Sequence, residues 1–88
     1  MRSLQFKGDT WDKYELLRTK NKRQHTKLKK IIKEMLRGDP TQGIGKPEPL
    51  KHELAGLWSR HMDKGNRLIY SFDDDTLCLI AIGGHYSH

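Results

Sequence analysis

The chain has 88 residues with one cysteine, and its 17 Lys and Arg outnumber 11 Asp and Glu, for a formal net charge of +6. One modest core, burying roughly 60–65% of the unfolded surface, is all this length allows, so residues 1–88 read as a single domain. A lone Cys78 excludes an intrachain disulfide and a four-cysteine zinc site. The longest apolar run, Leu77 to Ile82, falls far short of the ~20 residues a membrane span needs, and no basic-then-apolar leader opens the chain, so a soluble, cytoplasmic protein with no membrane contact is expected.

Charge is distributed unevenly. Residues 1–39 hold twelve Lys and Arg against five Asp and Glu, a net +7, while residues 40–88 hold five against six, a net −1. A one-sided cationic surface concentrates polyanions such as RNA, ribosomes, DNA or an acidic protein, and it also serves plain solubility.

In chain order, Ser3 to Lys7 alternates Leu4 and Phe6 with polar residues, the period of a half-buried strand, and Gly8 ends it. Asp9 or Thr10 can cap a helix over about 10–19. Its Trp11, Tyr14 and Leu17 fall on one side, and Asp9, Asp12 and Glu15 lie near its positive end. After a break around Lys20 and Asn21, Leu28, Ile31, Ile32, Met35 and Leu36 form the stripe of a second, longer helix, which Gly38 and Pro40 stop. Neither stripe can be left in water, so the helices form a hairpin against a sheet. Lys20, Lys22, Arg23, Lys27, Lys29, Lys30 and Lys33 then occupy its turn and outer faces. Lysine predominates there, which suits loose attraction to a phosphate backbone more than base-specific reading.

Gly43, Gly45 and all three prolines of the chain fall between Pro40 and Pro49, so this is a loop, and so restrictive a composition marks a functional one. It is not a phosphate-cradling Walker loop, because the upstream glycine spacing and the following Ser or Thr are missing. Pro47 and Pro49 flank Glu48. Each ring fixes its own φ near about −65° and pushes the preceding residue towards extended backbone, which holds Glu48 on a stiff segment. A carboxylate held this way suits a general base, although Pro-x-Pro is also an ordinary exposed connection.

Three strands fit the remainder: 52–62 with an irregularity at Gly56, 66–72, and 76–83. Tight turns at Asp63–Gly65 and Asp73–Asp75 make them an antiparallel meander. On the middle strand Leu68, Tyr70 and Phe72 share one face and Arg67, Ile69 and Ser71 the other. The larger apolar set meets the helices, which leaves Arg67 on the open face where a substrate groove can lie. The fold class expected is therefore α+β, two N-terminal helices packed on an antiparallel-dominated sheet.

The run Gly43-x-Gly45-Lys46-Pro47-Glu48-Pro49-Leu50-Lys51-His52, the early Trp11-Asp12-x-Tyr14, Arg67 on a strand-like Asn66 to Tyr70, and the closing His85-Tyr86 appear together in an order that resembles the YoeB/Txe branch of the RelE superfamily of bacterial toxins. The likeness spans nearly the whole chain. It implies a RelE-like, microbial-RNase-like fold and a ribosome-dependent endoribonuclease that cleaves mRNA. It also implies a cognate YefM/Axe-like antitoxin with an acidic, partly disordered tail, the ribosome and mRNA as partners, and leaves a homodimer open. The alternative is a non-catalytic nucleic-acid-binding or protein-interaction module.

Metal-independent cleavage of RNA requires a base for the 2′-hydroxyl proton, cationic donors for the phosphoryl oxygens and an acid for the 5′-oxygen. By the resemblance, Glu48 matches the base, Arg67 the phosphate-stabilising arginine, His85 the general acid and Tyr86 a terminal tyrosine that positions substrate. Arginine suits its role because its planar fork addresses two oxygens and keeps its charge, and histidine because its ordinary pKa, ~6.5, lets it hold and release a proton near neutrality. Lys51, Arg60, Lys46 and His61 extend the cationic lining and Trp58 stacks on a base, although Trp58 also reads as core and Arg60 as a strand-face charge. No cofactor or metal is expected: His85-x-x-His88 has ligand spacing but falls on a strand end and tail without a carboxylate motif.

Some positions depart from the family pattern. Gly83 and Gly84 stand where related toxins carry larger residues, His61 where a second Arg is frequent, Asn66 where a His can precede the strand arginine, and Ser87 and His88 extend past the usual His-Tyr end.

Overall fold

The computed structural model describes residues 1–84. Its elements, in order, are β1 (Ser3–Phe6), α1 (Thr10–Lys20), α2 (Lys22–Arg37), β2 (Glu48–Pro49), a 3₁₀ turn (His52–Leu54), β3 (Trp58–His61), β4 (Arg67–Phe72) and β5 (Thr76–Gly83). The five strands form one sheet in the order β1-β5-β4-β3-β2. β1 pairs with β5 in parallel, Leu4 opposite Leu77, and the other three pairings are antiparallel. The expected α+β architecture, two helices on a mostly antiparallel sheet, is the one observed.

The core lies between α2 and one face of that sheet. Leu28, Ile31, Ile32 and Met35 of α2 are buried against Leu68 and Tyr70 of β4 and Leu77, Leu79 and Ile82 of β5, with Phe72 packed at the margin. α1 contributes less: Tyr14 and Leu17 pack on the core, whereas Trp11 and Leu16 are about half exposed. Trp11 instead closes a small aromatic group, edge-on to Phe6 at 5.1 Å and stacked on Tyr14 at 6.0 Å. Cys78 is buried in β5, as its apolar neighbours imply.

The helix ends differ in detail from expectation. Asp9 makes no side-chain cap on α1, and Thr10 Oγ1 donates to the Lys7 carbonyl at 2.8 Å. The break between helices is itself a cap, because Asn21 Oδ1 accepts from Gln24 N at 3.1 Å. At the other end of α2, Gly38 is extended (φ −126°), and Arg2 Nη1 donates to the carbonyls of Met35 (3.0 Å) and Gly38 (2.7 Å). A cation at a helix C-terminus is favourable, and here it ties the start of β1 to the end of α2.

The expected strand over 52–62 is the largest correction. Only Trp58–His61 is extended, because His52 (φ 59°) and Gly56 (φ 96°) turn the backbone into the left-handed region, and the chain between them winds into the 3₁₀ turn. The missing pairing comes from the stretch expected as loop. Glu48 and Pro49 form edge strand β2, opposite Ser59 and Trp58, and Leu50 N donates to Leu57 O at 2.8 Å to close the hairpin. Proline is tolerated in a sheet only at such an edge.

Candidate active site

Successive residues of a strand point to opposite sides, so β3 and β4 each divide their side chains between the core and the open face. Leu68 and Tyr70 are in the core cluster with Phe72 packed against it, which leaves Arg67 on the face turned from the helices. Arg67 pairs with His61 of β3 on one side and with Gly83 of β5 on the other. Glu48 pairs with Ser59, so carboxylate and guanidinium approach across β3, and Arg67 Nη1 lies 3.9 Å from Glu48 Oε1. Both side chains are roughly half exposed, which leaves them open to a substrate.

The turn that delivers Arg67 is closed by its own polar residues. Asp63 Oδ1 accepts from Gly65 N (3.0 Å) and Asn66 Nδ2 (2.9 Å), while Gln24 Nε2 of α2 donates to Asp63 Oδ2. These donors hold the Asp63 carboxyl below its ordinary pKa, the Asn66 and Gln24 side chains contributing most. Asn66 is therefore a turn-forming residue, one step from Arg67.

Two expected substrate contacts are corrected. Arg60 alternates with Ser59 and His61 and so points to the helix side, where it is fully buried and cannot meet substrate. All five of its N–H donors find acceptors: Nε on Tyr70 Oη (3.2 Å), Nη1 on Glu34 Oε1 (2.6 Å) and Ile44 O (3.0 Å), Nη2 on Pro40 O (3.1 Å) and Gln42 O (2.7 Å). Trp58 shares that parity and packs on the margin of the core, 6.1 Å from the Phe72 ring, so it belongs to the core and not to a stacking platform.

The remaining residues distribute as follows. His61, half-buried, sits beside Arg67 on the open side of β3. Lys46 and Lys51 are exposed on either side of β2, and Lys46 takes a left-handed conformation (φ 51°) directly before Pro47. His85 and Tyr86 lie outside the described residues. Glu34 and Tyr70 were not singled out from the sequence as polar groups of consequence. One signal was available: Glu34 is the sole carboxylate of a helix with seven Lys and Arg. Among the described residues no cluster of three His, Cys, Asp or Glu is placed to hold a metal ion.

A carboxylate and a guanidinium facing one another on an open sheet face can accept a proton and neutralise an anion within one substrate's reach. The family described as the YoeB-like toxin of the bacterial type II toxin–antitoxin system matches residues 6–86. The toxin YoeB of Escherichia coli O6:H1 is 44% identical over 78 residues, which cover 89% of this chain and 92% of that protein. Among solved structures, a YoeB/ParE toxin from Agrobacterium tumefaciens superposes with a TM-score of 0.87 at 34% identity, covering 98% of this chain and 100% of its own. A YoeB–YefM complex from Staphylococcus aureus gives a TM-score of 0.87 at 30% identity, covering 98% and 99%. The protein belongs to the YoeB-like toxin family of bacterial type II toxin–antitoxin systems.

Proposed function

We propose that this toxin is a ribosome-dependent endoribonuclease that cleaves mRNA in the ribosomal A site without a metal ion. The reading rests on the meeting of Glu48 and Arg67, 3.9 Å apart on the face away from the helices, together with the family. Glu48 removes the proton from a ribose 2′-hydroxyl, and the oxygen attacks the adjacent phosphorus. Arg67, which pairs with Glu48 in the free protein, turns its fork to the non-bridging phosphoryl oxygens as charge builds on them. His85 returns a proton to the departing 5′-oxygen, and Tyr86 positions the substrate. The products are a 2′,3′-cyclic phosphate and a 5′-hydroxyl end. β5 ends at Gly83, the pairing partner of Arg67, and His85 is two positions further along the sequence.

Lys46, Lys51 and His61 extend the cationic lining around this pair. The lysines and Arg23 on α2 supply long-range attraction to ribosomal phosphate, and a cognate YefM-like antitoxin with an acidic, partly disordered segment covers the cationic surface in the inactive state. Primer extension on messages from a translating extract tests the reading. New ends within the coding region are expected with the wild-type protein and none with Glu48→Ala. Binding to ribosomes without any new ends would show a non-catalytic RNA-binding module instead.

A further inference from the structure

We propose that Arg60 is a positioning residue for this reaction, setting the place of Glu48 through a cage of loop carbonyls on the opposite side of the sheet. The inference rests on the base role given to Glu48 above. It begins from an oddity of Glu48 itself. Its side chain is about half exposed and has no hydrogen-bond partner among the described residues; its one contact of note is the 3.9 Å approach of Arg67. Its location is therefore inherited from its backbone, a two-residue edge strand at the end of a loop without regular structure.

That loop is organised around the Arg60 guanidinium. The alternate carbonyls of Pro40, Gln42 and Ile44 all accept from it, so the backbone wraps one cation through three successive inward turns. Glu34 neutralises the charge and adds a further link, its Oε1 accepting from Ile44 N at 3.1 Å. Tyr70 Oη donates to Pro40 O at 2.7 Å while accepting from Arg60 Nε. The path then leads directly to the base. Gly45 O accepts from His61 N at 2.7 Å, and a Cβ at Gly45 would stand 2.6 Å from His61 O, so the chain is pressed onto β3 five residues after Pro40 and three before Glu48.

Adjacent residues of one strand thus hold the two ends of this segment. Arg60 fixes the loop on the core side, and Ser59, itself buried, pairs with Glu48. A buried arginine is costly to desolvate, and a well-packed apolar residue often serves stability as well or better. What an apolar residue cannot do is dictate where three carbonyls point, and through them the height of Glu48 above Arg67. Displacement of a catalytic group by ~1 Å costs on the order of 10²-fold in rate.

Single-turnover cleavage on programmed ribosomes tests this, with Arg60→Lys and Tyr70→Phe each made in the wild-type and in the Glu48→Ala background, and with circular dichroism melts showing that each variant is folded at the assay temperature. Lysine cannot supply the planar fork, and phenylalanine removes only the hydroxyl that joins Pro40 to Arg60. Arg60→Lys is expected to lower the cleavage rate by about 10- to 100-fold and Tyr70→Phe by about threefold or more, while the half-saturating ribosome concentration stays within about twofold. In the Glu48→Ala background both losses should shrink towards none, because the group being positioned is gone. Equal losses in both backgrounds, or wild-type rates in the folded variants, would overturn the proposal, leaving Arg60 as a fold residue alone. If Arg60→Lys does not fold, Tyr70→Phe decides by the same comparison. A wild-type rate in Glu48→Ala alone would instead remove the base assignment, a separate outcome from failure of the positioning role.

Discussion

Glu48 and Arg67 meet although they belong to strands that are not neighbours: β3 runs between them, and the two side chains reach over it to a separation of 3.9 Å. Strands lie about 4.8 Å apart, so the gap between the two backbones is of the order of 10 Å and only long side chains close it. The residue beneath Glu48 in the register is Ser59, small enough to leave that path clear. An ion pair this exposed contributes about 0–1 kcal/mol. Glu48→Ala and Arg67→Ala should therefore shift the urea midpoint only slightly, by less than about 1 kcal/mol of stability. A loss of several kcal/mol in either variant would mean that the pair holds the fold.

The loop glycines are expected to behave in the opposite way. Gly45 has φ +85° and no room for a Cβ against His61, and Gly43 has φ +118° with a Cβ position 1.8 Å from Glu34 Oε1. Gly45→Ala meets backbone and should cost about 2 kcal/mol or more in urea unfolding. Gly43→Ala meets a side-chain end, which can swing away only by giving up its bonds to Arg60 and Ile44. A Gly45→Ala protein as stable as wild type would show that the loop is not pressed onto β3.

Acid should weaken the protein through His25. Its ring is buried 4.7 Å from Tyr14, and its Nε2 has no hydrogen-bond partner among the described residues. Burial, then the cations Arg18 and Lys29, lower its pKa from the ordinary 6.5, opposed by Glu15. As pH falls below 6.5 the unfolded chain thus takes up a proton before the folded one does. The stability from neutral His25 is complete above that value and is lost as pH falls through the depressed folded pKa. Urea midpoints measured between about pH 7 and pH 5 should fall for the wild type and flatten in His25→Phe. An unchanged slope in the variant would place the acid sensitivity elsewhere.

Much of the fold could be read in the sequence because its signals are local and periodic. The α2 stripe, the turns at Asp63–Gly65 and Asp73–Asp75 and the face assignment of Leu68, Tyr70 and Phe72 follow from local composition and spacing. The start of β3 did not, because Leu54, Leu57 and Trp58 look like strand residues and nothing in a histidine announces the left-handed backbone of His52. The parallel pairing of β1 with β5 joins residues more than seventy positions apart, beyond any short-range pattern. At the site, the extended backbone of Glu48 between its two prolines and the exposure of Arg67 were legible. Arg60 was misplaced although its parity with Trp58 on β3 pointed to the core, since a strand arginine is ordinarily a surface charge.

The α2 cations should govern attraction and not chemistry. Lys22, Lys27 and Lys30 line one groove with Arg23 and Ile44, and the three lysines stand on α2, not on the strands that carry Glu48 and Arg67. Replacing the three lysines with serine should weaken ribosome association and reduce the slope of log affinity against log salt by roughly one for each phosphate contact removed. The single-turnover rate at saturating ribosomes should stay within about twofold. A loss of rate at saturation would make this groove part of the reaction site.

The central claim is that Glu48 takes the 2′-hydroxyl proton while Arg67 neutralises charge on the scissile phosphate. Single-turnover cleavage of message on programmed ribosomes, run with Glu48→Ala, Arg67→Ala and Arg67→Lys beside melts of each protein, tests it most directly. Loss of the base should cost about 10² to 10⁴ in rate and loss of the guanidinium about 10² to 10³, with lysine recovering only part because a point charge cannot hold two oxygens in one plane. Wild-type cleavage rates in folded Glu48→Ala and Arg67→Ala would contradict the account.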